Sequence, residues 1–303
     1  MVGLKRPPSA LWLVHKPAGV TSFSLVEDFR AKAQAAARFK VMHGGVLDPF
    51  AQGLVILLVG AATRLFDRLH EVPKRYVATV EWGLETDTLD GGGAEVGRGD
   101  AAALTPARLD EVLRGFLGWK DQVPPATSNK RVDGERAYVR AHRGEAVVVP
   151  SSRVFLHAAR WRSHELPRRS VLELTCGGGY YVRALARDLG RITGARAHLS
   201  ALAREAIGPY EDPRGGPRLK AAREVLPWLA SRELSDDEWG TLKRGGAVAP
   251  TRKAKAPDAP WLDGFPPAPP LVRAFHHGRL VALLDAGRVH TLLPGGIGDG
   301  DGR

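Results

Sequence analysis

The sequence is poor in cysteine, in lysine and in long apolar runs. A single cysteine, Cys176, stands in 303 residues. It excludes an internal disulfide and any multi-cysteine metal site, and it fits a reducing, cytoplasmic setting. The longest apolar run, 53–62, is too short to span a bilayer, so no membrane association is expected. His15, Lys16 and Pro17 interrupt the apolar stretch behind Lys5 and Arg6, which is not the pattern of a signal peptide. No HExxH, no paired-cysteine ligand set and no GxxxxGK(S/T) occurs. Neither a metal nor a cofactor is therefore expected. No internal repeat is visible either.

What is present is a globular balance, 44% hydrophobic and 25% charged, with a strongly basic excess. Lys and Arg number 44 against 33 acidic residues, a net charge of +11, which points to a polyanionic partner. Arginine supplies 33 of the 44 cations. Its guanidinium grips phosphate bidentately and stacks, whereas lysine is a point charge. A GC-rich genome explains the preference for Arg equally well, but not the net charge. The length suits one large domain plus a small one, or two domains.

Along the chain, 10–14 reads as a strand and Ser24 to Arg38 as a helix, with Ser24 and Glu27 as its capping box. Residues 75–82 alternate as a strand, and the acidic stretch around Gly91–Gly93 reads as a solvated loop. Thr105 to Leu117 reads as a helix capped by Thr105 with Pro106 in its first turn. Residues 171–176 form a strand. The helix that follows carries Val182, Leu185, Leu189 and Ile192 as a buried stripe, with Arg187 as a solvated or partner-facing charge. The stretch 128–169 is basic, with nine Arg and Lys130 against four acids. Ser235 to Arg244 reads as a short helix, the proline-rich 250–270 as a mobile loop, and 272–293 as two strand-like runs.

The segment that carries chemistry is HGGVLDPFAQG, His43 to Gly53. Asp48 precedes Pro49, which forces an extended backbone, and Gly44 and Gly45 allow close approach of a ligand. A carboxylate on such a loop is a nucleophile or base candidate, although a lone Asp-Pro is usually an ordinary turn. Here the surroundings decide. HxGxLDPxAxG resembles the central motif of the TruB-type tRNA pseudouridine synthases, which isomerise uridine 55 of the tRNA T-loop. KPAGVTSF (16–23) resembles the family's first motif, and KRYVATVEWGLETDTLDGGG (74–93) its Tyr-bearing strand and polar loop. QVPPATSNKRVDGERAYVRAHRGE (122–145) is similar to a thumb-like insertion over the RNA. CGGGYYVRALARDLG (176–190) resembles the third motif. Together these cover 11–210.

The resemblance implies an α+β fold. A pseudouridine synthase catalytic domain over 1–230 would have a mixed, largely antiparallel sheet flanked by helices, with the thumb at about 122–152. A small β-rich PUA-like domain would follow at 234–293, and a disordered tail at 294–303. It implies Asp48 as the catalytic aspartate and Tyr76 as the aromatic that stacks on the target base. Tyr181 and Arg183 match the third-motif pair, with Arg183 pairing with the catalytic carboxylate. Leu202 supports the flipped base, and His43 contacts the T-loop. Uridine isomerisation breaks N1–C1′ and makes C5–C1′ with no redox change, which agrees with the lack of cofactor motifs. Flipping the base out costs a few kcal/mol, and an aromatic platform returns ~1–3 kcal/mol per stacked base. Asp48 attack at C1′, attack at C6, and a glycal route all remain open.

Two departures stand out. Gly44 takes a position where the family frequently has Thr, and the third motif reads GGGYY, with Gly178 and Tyr180 in place of a polar or basic residue and a smaller one. The partner implied is the tRNA T-stem-loop, with no obligate protein partner and a monomeric enzyme. A different class of reading is a non-catalytic RNA-binding or tRNA-folding chaperone on the same scaffold. A third, the guide-RNA-directed catalytic subunit, is expected less, because such relatives carry terminal extensions and this chain has no Lys-rich tail.

Overall fold

The computed structural model describes residues 9–33, 39–250, 258–265 and 270–299. The chain folds into two compact units. One is built from Met1–Pro49, Gly53–Val72 and Ala206–Arg303, the other from Phe50–Gln52 and Pro73–Glu205.

The first unit opens with β1 (Ala10–Lys16), α1 (Ser22–Lys32), β2 (Val41–His43), β3 (Gln52–Val59) and α2 (Phe66–His70). β1 and β2 both pair antiparallel with β3, from Ala10 opposite Val59 to Lys16 opposite Gly53 and from Val41 opposite Val59 to His43 opposite Leu57. Every residue of β3 after Gln52 is buried, which is what its unbroken apolar run LVILLV demands. The cap of α1 differs from expectation. Thr21 is the N-cap, its hydroxyl accepting from Ser24 N–H at 3.0 Å, and Ser24 Oγ donates back to Thr21 O at 2.8 Å. Ser24 is thus already inside the first turn. The expected helix end at Arg38 lies outside the described residues.

The second unit holds β4 (Lys74–Trp82), β5 (Leu84–Thr86), β6 (Glu95–Arg98), α3 (Pro106–Arg114), β7 (Gly118–Gln122), β8 (Arg131–Val132), β9 (Glu135–Arg136), α4 (Ala137–His142), β10 (Ser152–Glu165), β11 (Arg169–Cys176), α5 (Val182–Thr193) and β12 (Ala197–Ile207). Its sheet runs β12-β4-β11-β10-β7. The pairs β4–β11, β11–β10 and β10–β7 are antiparallel. β4 shows a strict period of two: Lys74, Tyr76, Ala78, Val80 and Trp82 are buried, and the residues between them are half-buried. α3 starts as expected, with Thr105 as N-cap and Pro106 in the first turn. α5 ends at Gly194, whose φ of +75° supplies the left-handed cap. A Cβ at Gly190 would stand 2.4 Å from Ala197 N, so only glycine lets α5 approach β12 this closely.

The structure corrects three expectations here. The acidic stretch after β4 is the β5–β6 hairpin. Thr88 Oγ1 and Gly92 N–H donate to Asp90 Oδ1 at 2.9 and 3.0 Å, and Ala94 N–H donates to Asp87 Oδ1 at 2.8 Å. Ile192 is exposed; it lines a cleft of about 370 Å³ with Glu111, Phe116 and Tyr180 instead of joining the buried stripe. Arg187 is only 8% exposed: its Nε donates to Asp188 at 2.7 Å and its Nη2 to Val123 O at 2.9 Å, so it is no solvated charge.

The first unit closes with β13 (Tyr210–Glu211), β14 (Arg218–Lys220), β15 (Ala230–Glu233), α6 (Asp236–Lys243), β16 (Val272–His276), β17 (Arg279–Asp285) and β18 (Arg288–Ile297). β14 pairs with β1, and β15-β16-β17-β18 form a separate four-stranded sheet in which β15 and β16 run parallel. Phe275, Leu280, Leu283 and Leu293 of this sheet share one apolar cluster with Leu11, Leu54, Ile56 and Leu69. Ala274, Val281 and Leu284 form a smaller cluster with Leu234 and Leu242. α6 carries a capping box of Ser235 and Glu238. The tail expected to be disordered from 294 is in part a strand: β18 reaches Ile297, and Asp299 accepts from Ala222 N–H at 2.8 Å. Residues 300–303 lie outside the described residues, as do 251–257 and 266–269 of the expected mobile loop. Among the described residues, no helix is long and apolar enough to cross a membrane.

Candidate active site

The candidate residues divide between the two units: His43 and Asp48 fall in the first, and Tyr76, Tyr181, Arg183 and Leu202 in the second.

In the first unit, Asp48 is half-buried on the loop between β2 and β3. The motif KPAGVTSF holds this loop from both sides of the carboxylate. On one side, Ser22 Oγ donates to Leu47 O at 3.0 Å and accepts from Leu47 N–H at 2.9 Å. On the other, Pro49 O accepts from Gly19 N–H at 2.8 Å and from Lys16 Nζ at 3.2 Å. Lys16 is fully buried, and Nζ also donates to Pro17 O at 3.1 Å and Val20 O at 2.7 Å. Carbonyl acceptors of this kind compensate the charge of a buried ammonium. Gly19, at φ +89°, makes the turn that brings this segment back over the loop. Gly44 has a packing reason to lack a side chain: a Cβ there would lie 2.7 Å from Leu69 Cδ1. The space a threonine would need is filled by Leu69. His43 lies half-buried on β2 opposite Leu57.

In the second unit, Tyr76 is buried on β4 opposite Leu174 of β11, and Leu202 is buried on β12. Tyr181 is the N-cap of α5 but uses no side-chain cap. The Gln122 amide serves its backbone instead. Gln122 Oε1 accepts from Tyr181 N–H at 2.9 Å, and Nε2 donates to Tyr181 O at 3.1 Å. Arg183 is buried in the first turn of α5. Its Nη1 donates to Thr88 O at 2.6 Å and Thr127 Oγ1 at 2.9 Å, and Nη2 donates to Thr127 O at 3.4 Å. Asp90 Oδ2 lies 3.5 Å from Nη1. The guanidinium is thereby locked to the β5–β6 loop and to the loop between β7 and β8.

The supporting residues Gln122, Thr127, Thr88 and Asp90 were not singled out from the sequence. Thr88, Asp90 and Thr127 lie on loops and Gln122 at the end of β7, and only their spatial convergence on α5 marks them. Glu85 is a further one. It is buried, yet Arg191 grips it at 2.5 and 3.0 Å and Arg196 at 2.9 Å. Burial opposes its ionisation, but the two guanidiniums prevail and hold the carboxyl below its ordinary range. Under Tyr76, burial, followed by repulsion from Arg204, lowers Lys74 to about 8, and burial pushes the Cys176 thiol up to about 12, so Cys176 is an inert core residue.

Five arginines of 128–169 stand in ion pairs on the surface. Arg140 and Arg143 pair with Glu145, Arg143 also with Glu135, Arg160 and Arg162 with Glu173, and Arg169 with Glu165. Exposed pairs of this kind are worth about 0–1 kcal/mol each, so a phosphate can displace them.

Residues 30–182 match the model of the TruB family pseudouridylate synthase, N terminal domain. A protein of an Arthrobacter species named tRNA pseudouridine synthase B is 37% identical over 296 residues, covering 92% of this chain and 94% of its own. The chain belongs to the TruB family of pseudouridylate synthases. A second TruB-family relative of the same name, from Leifsonia xyli subsp. xyli, is 38% identical over 227 residues, 72% of this chain and 74% of its own. The TruB-family fold is also that of a solved Cbf5-Nop10-Gar1 complex, with a TM-score of 0.65 at 20% identity over 93% of this chain and 79% of that one. Membership makes the chain an isomerase, and the α+β fold expected from the motifs is the one observed.

Proposed function

We propose that this TruB-family enzyme isomerises uridine 55 in the T-loop of tRNA to pseudouridine, with Asp48 as the reacting carboxylate. The observation that carries the reading is the clamp on the Asp48 loop. Hydrogen bonds fix Leu47 and Pro49, the residues on either side of Asp48, and the anchors are Lys16, Gly19 and Ser22. Such clamping suits a group that must meet a reacting atom in one geometry, and orientation of this kind supplies a large share of a catalytic barrier reduction. Tyr76 is the platform for the flipped base, Leu202 its apolar support, and His43 and Tyr181 further substrate contacts. Arg183 is the cation of the set. It suits that role because its guanidinium is always charged and its donors are held by fixed acceptors.

The relatives are named for tRNA, and the net charge of +11 supports a polyanionic substrate. The enzyme would act in the cytoplasm, on free tRNA and without a protein partner. The test is to incubate the purified protein with an unmodified tRNA transcript and map pseudouridine by carbodiimide labelling and primer extension. A single stop at the T-loop uridine is expected. Stops elsewhere, or none without an added guide RNA, would overturn the assignment of substrate.

A further inference from the structure

We propose that Asp236, His276 and His277 form a binding site for a divalent first-row transition metal of the zinc type. His276 and His277 sit at the tip of the β16–β17 hairpin, where His276 faces Arg279 in register. The two residues between them, His277 and Gly278, both have positive φ, +48° and +70°. That is the backbone of a two-residue hairpin turn with both central residues left-handed. Histidine is one of the few side chains tolerated there. The turn throws the His277 imidazole beside that of His276, with ring centroids 4.1 Å apart. Both Nε2 atoms converge on one atom, Asp236 Oδ1, at 2.8 and 3.0 Å.

Asp236 comes from a different element, the first residue of α6. It takes no part in the capping box of that helix, which Ser235 and Glu238 complete between them. Its carboxylate is therefore available to the hairpin. The three donor atoms all lie within 4.8 Å of one another. Around a tetrahedral ion with bonds of about 2.0–2.2 Å, donor atoms are separated by about 3.3 Å. The two Asp–His pairs, at 2.8 and 3.0 Å, stand a few tenths of an ångström from that spacing, and the His276–His277 pair lies within 4.8 Å, a distance that rotation of the exposed His277 ring can close.

The donor set selects the metal class. Two imidazoles and one carboxylate suit zinc, nickel or copper, and they do not suit magnesium or calcium, which require oxygen. The Asp236 and His277 side chains are 79% and 74% exposed, whereas His276 is 16% exposed. The His276 ring lies 5.8 Å from that of Trp239, which restrains it. One ligand is thus positioned by packing, and the other two are open to solvent. Water completes the coordination, and exchange is fast. The bound ion would join the N-terminus of α6 to the tip of the hairpin and stabilise the C-terminal sheet by mass action.

The test uses the full-length protein without an affinity tag. Zinc binding is measured by competition with a chelating indicator for the wild type, His277→Asn and Asp236→Asn. Asparagine at 277 keeps the left-handed turn, so this variant folds and loses only the imidazole. The proposal expects one zinc per chain with a dissociation constant in the range of about 1–50 μM, weakened about tenfold or more by either substitution. Cobalt loading should give visible absorption bands of four- or five-coordinate geometry, lost in His277→Asn. Magnesium should not compete. Absence of saturable zinc binding, or binding that both variants retain, overturns it.

Discussion

Ser22 and Leu47 hold each other reciprocally: the serine hydroxyl donates to the leucine carbonyl at 3.0 Å and accepts its N–H at 2.9 Å. Both residues are buried, and Leu47 is the immediate neighbour of Asp48. The first motif of the chain thereby fixes the backbone beside the Asp48 carboxylate.

Ser22→Ala leaves the Leu47 N–H and C=O without their partner in a buried position. The expected cost is about 1–3 kcal/mol of stability. Turnover on tRNA transcript should fall at least about tenfold, because the carboxylate loses its fixed geometry. Denaturant unfolding and single-turnover kinetics measure the two effects separately. Ser22→Thr keeps the hydroxyl and should restore most of the activity.

The motifs made the Asp48 loop legible because their spacing lies within one short stretch of sequence. β4 and α3 were legible for the same kind of reason, a two-residue alternation and a Thr-Pro cap. The burial of Arg187 was not, since its acceptor Val123 is 64 positions away. The cap of α1 was misplaced because Thr21 and Ser24 are both competent caps, and only the observed backbone shows that Thr21 is the extended one. The hairpin formed by the acidic stretch was hidden because Asp87 and Asp90 bind backbone N–H groups, a use of carboxylates that composition cannot distinguish from solvation.

Gln122 determines the path of the chain into α5. Gln122→Ala removes both hydrogen bonds to the Tyr181 backbone, and kcat/KM should fall about 10- to 100-fold. Gln122→Glu retains an acceptor for Tyr181 N–H but not the donor to Tyr181 O, so its loss should be intermediate. Steady-state kinetics on the three proteins checks the order.

Gly44→Thr should destabilise the enzyme by about 1–3 kcal/mol, because the new Cβ overlaps the buried Leu69 side chain. Leu69→Ala alone should cost about 2–5 kcal/mol through the cavity it leaves. The double variant should cost less than the sum, since each change relieves the other. A double-mutant cycle by urea unfolding gives the coupling.

Glu85 links stability to pH. Its folded pKa lies below its unfolded value, so its contribution is fully present above pH of about 4.5 and disappears as pH falls through the lower folded value. Glu85→Gln should lower stability at pH 7 by about 1–3 kcal/mol, moderated by the partial exposure of both arginines. The variant should also show a flatter stability profile below pH of about 4.5. Thermal unfolding across that range measures it.

The central claim is that Asp48 carries out the isomerisation at one uridine. It is tested most directly with tRNA transcript tritiated at uridine C5, since forming C5–C1′ expels that hydrogen. The account predicts stoichiometric tritium release by the wild type. It predicts no release by Asp48→Asn at nearly unchanged tRNA affinity, and none from the target site when its uridine is replaced by cytidine. Release by Asp48→Asn at the wild-type rate, or tight binding without release by the wild type, would contradict it.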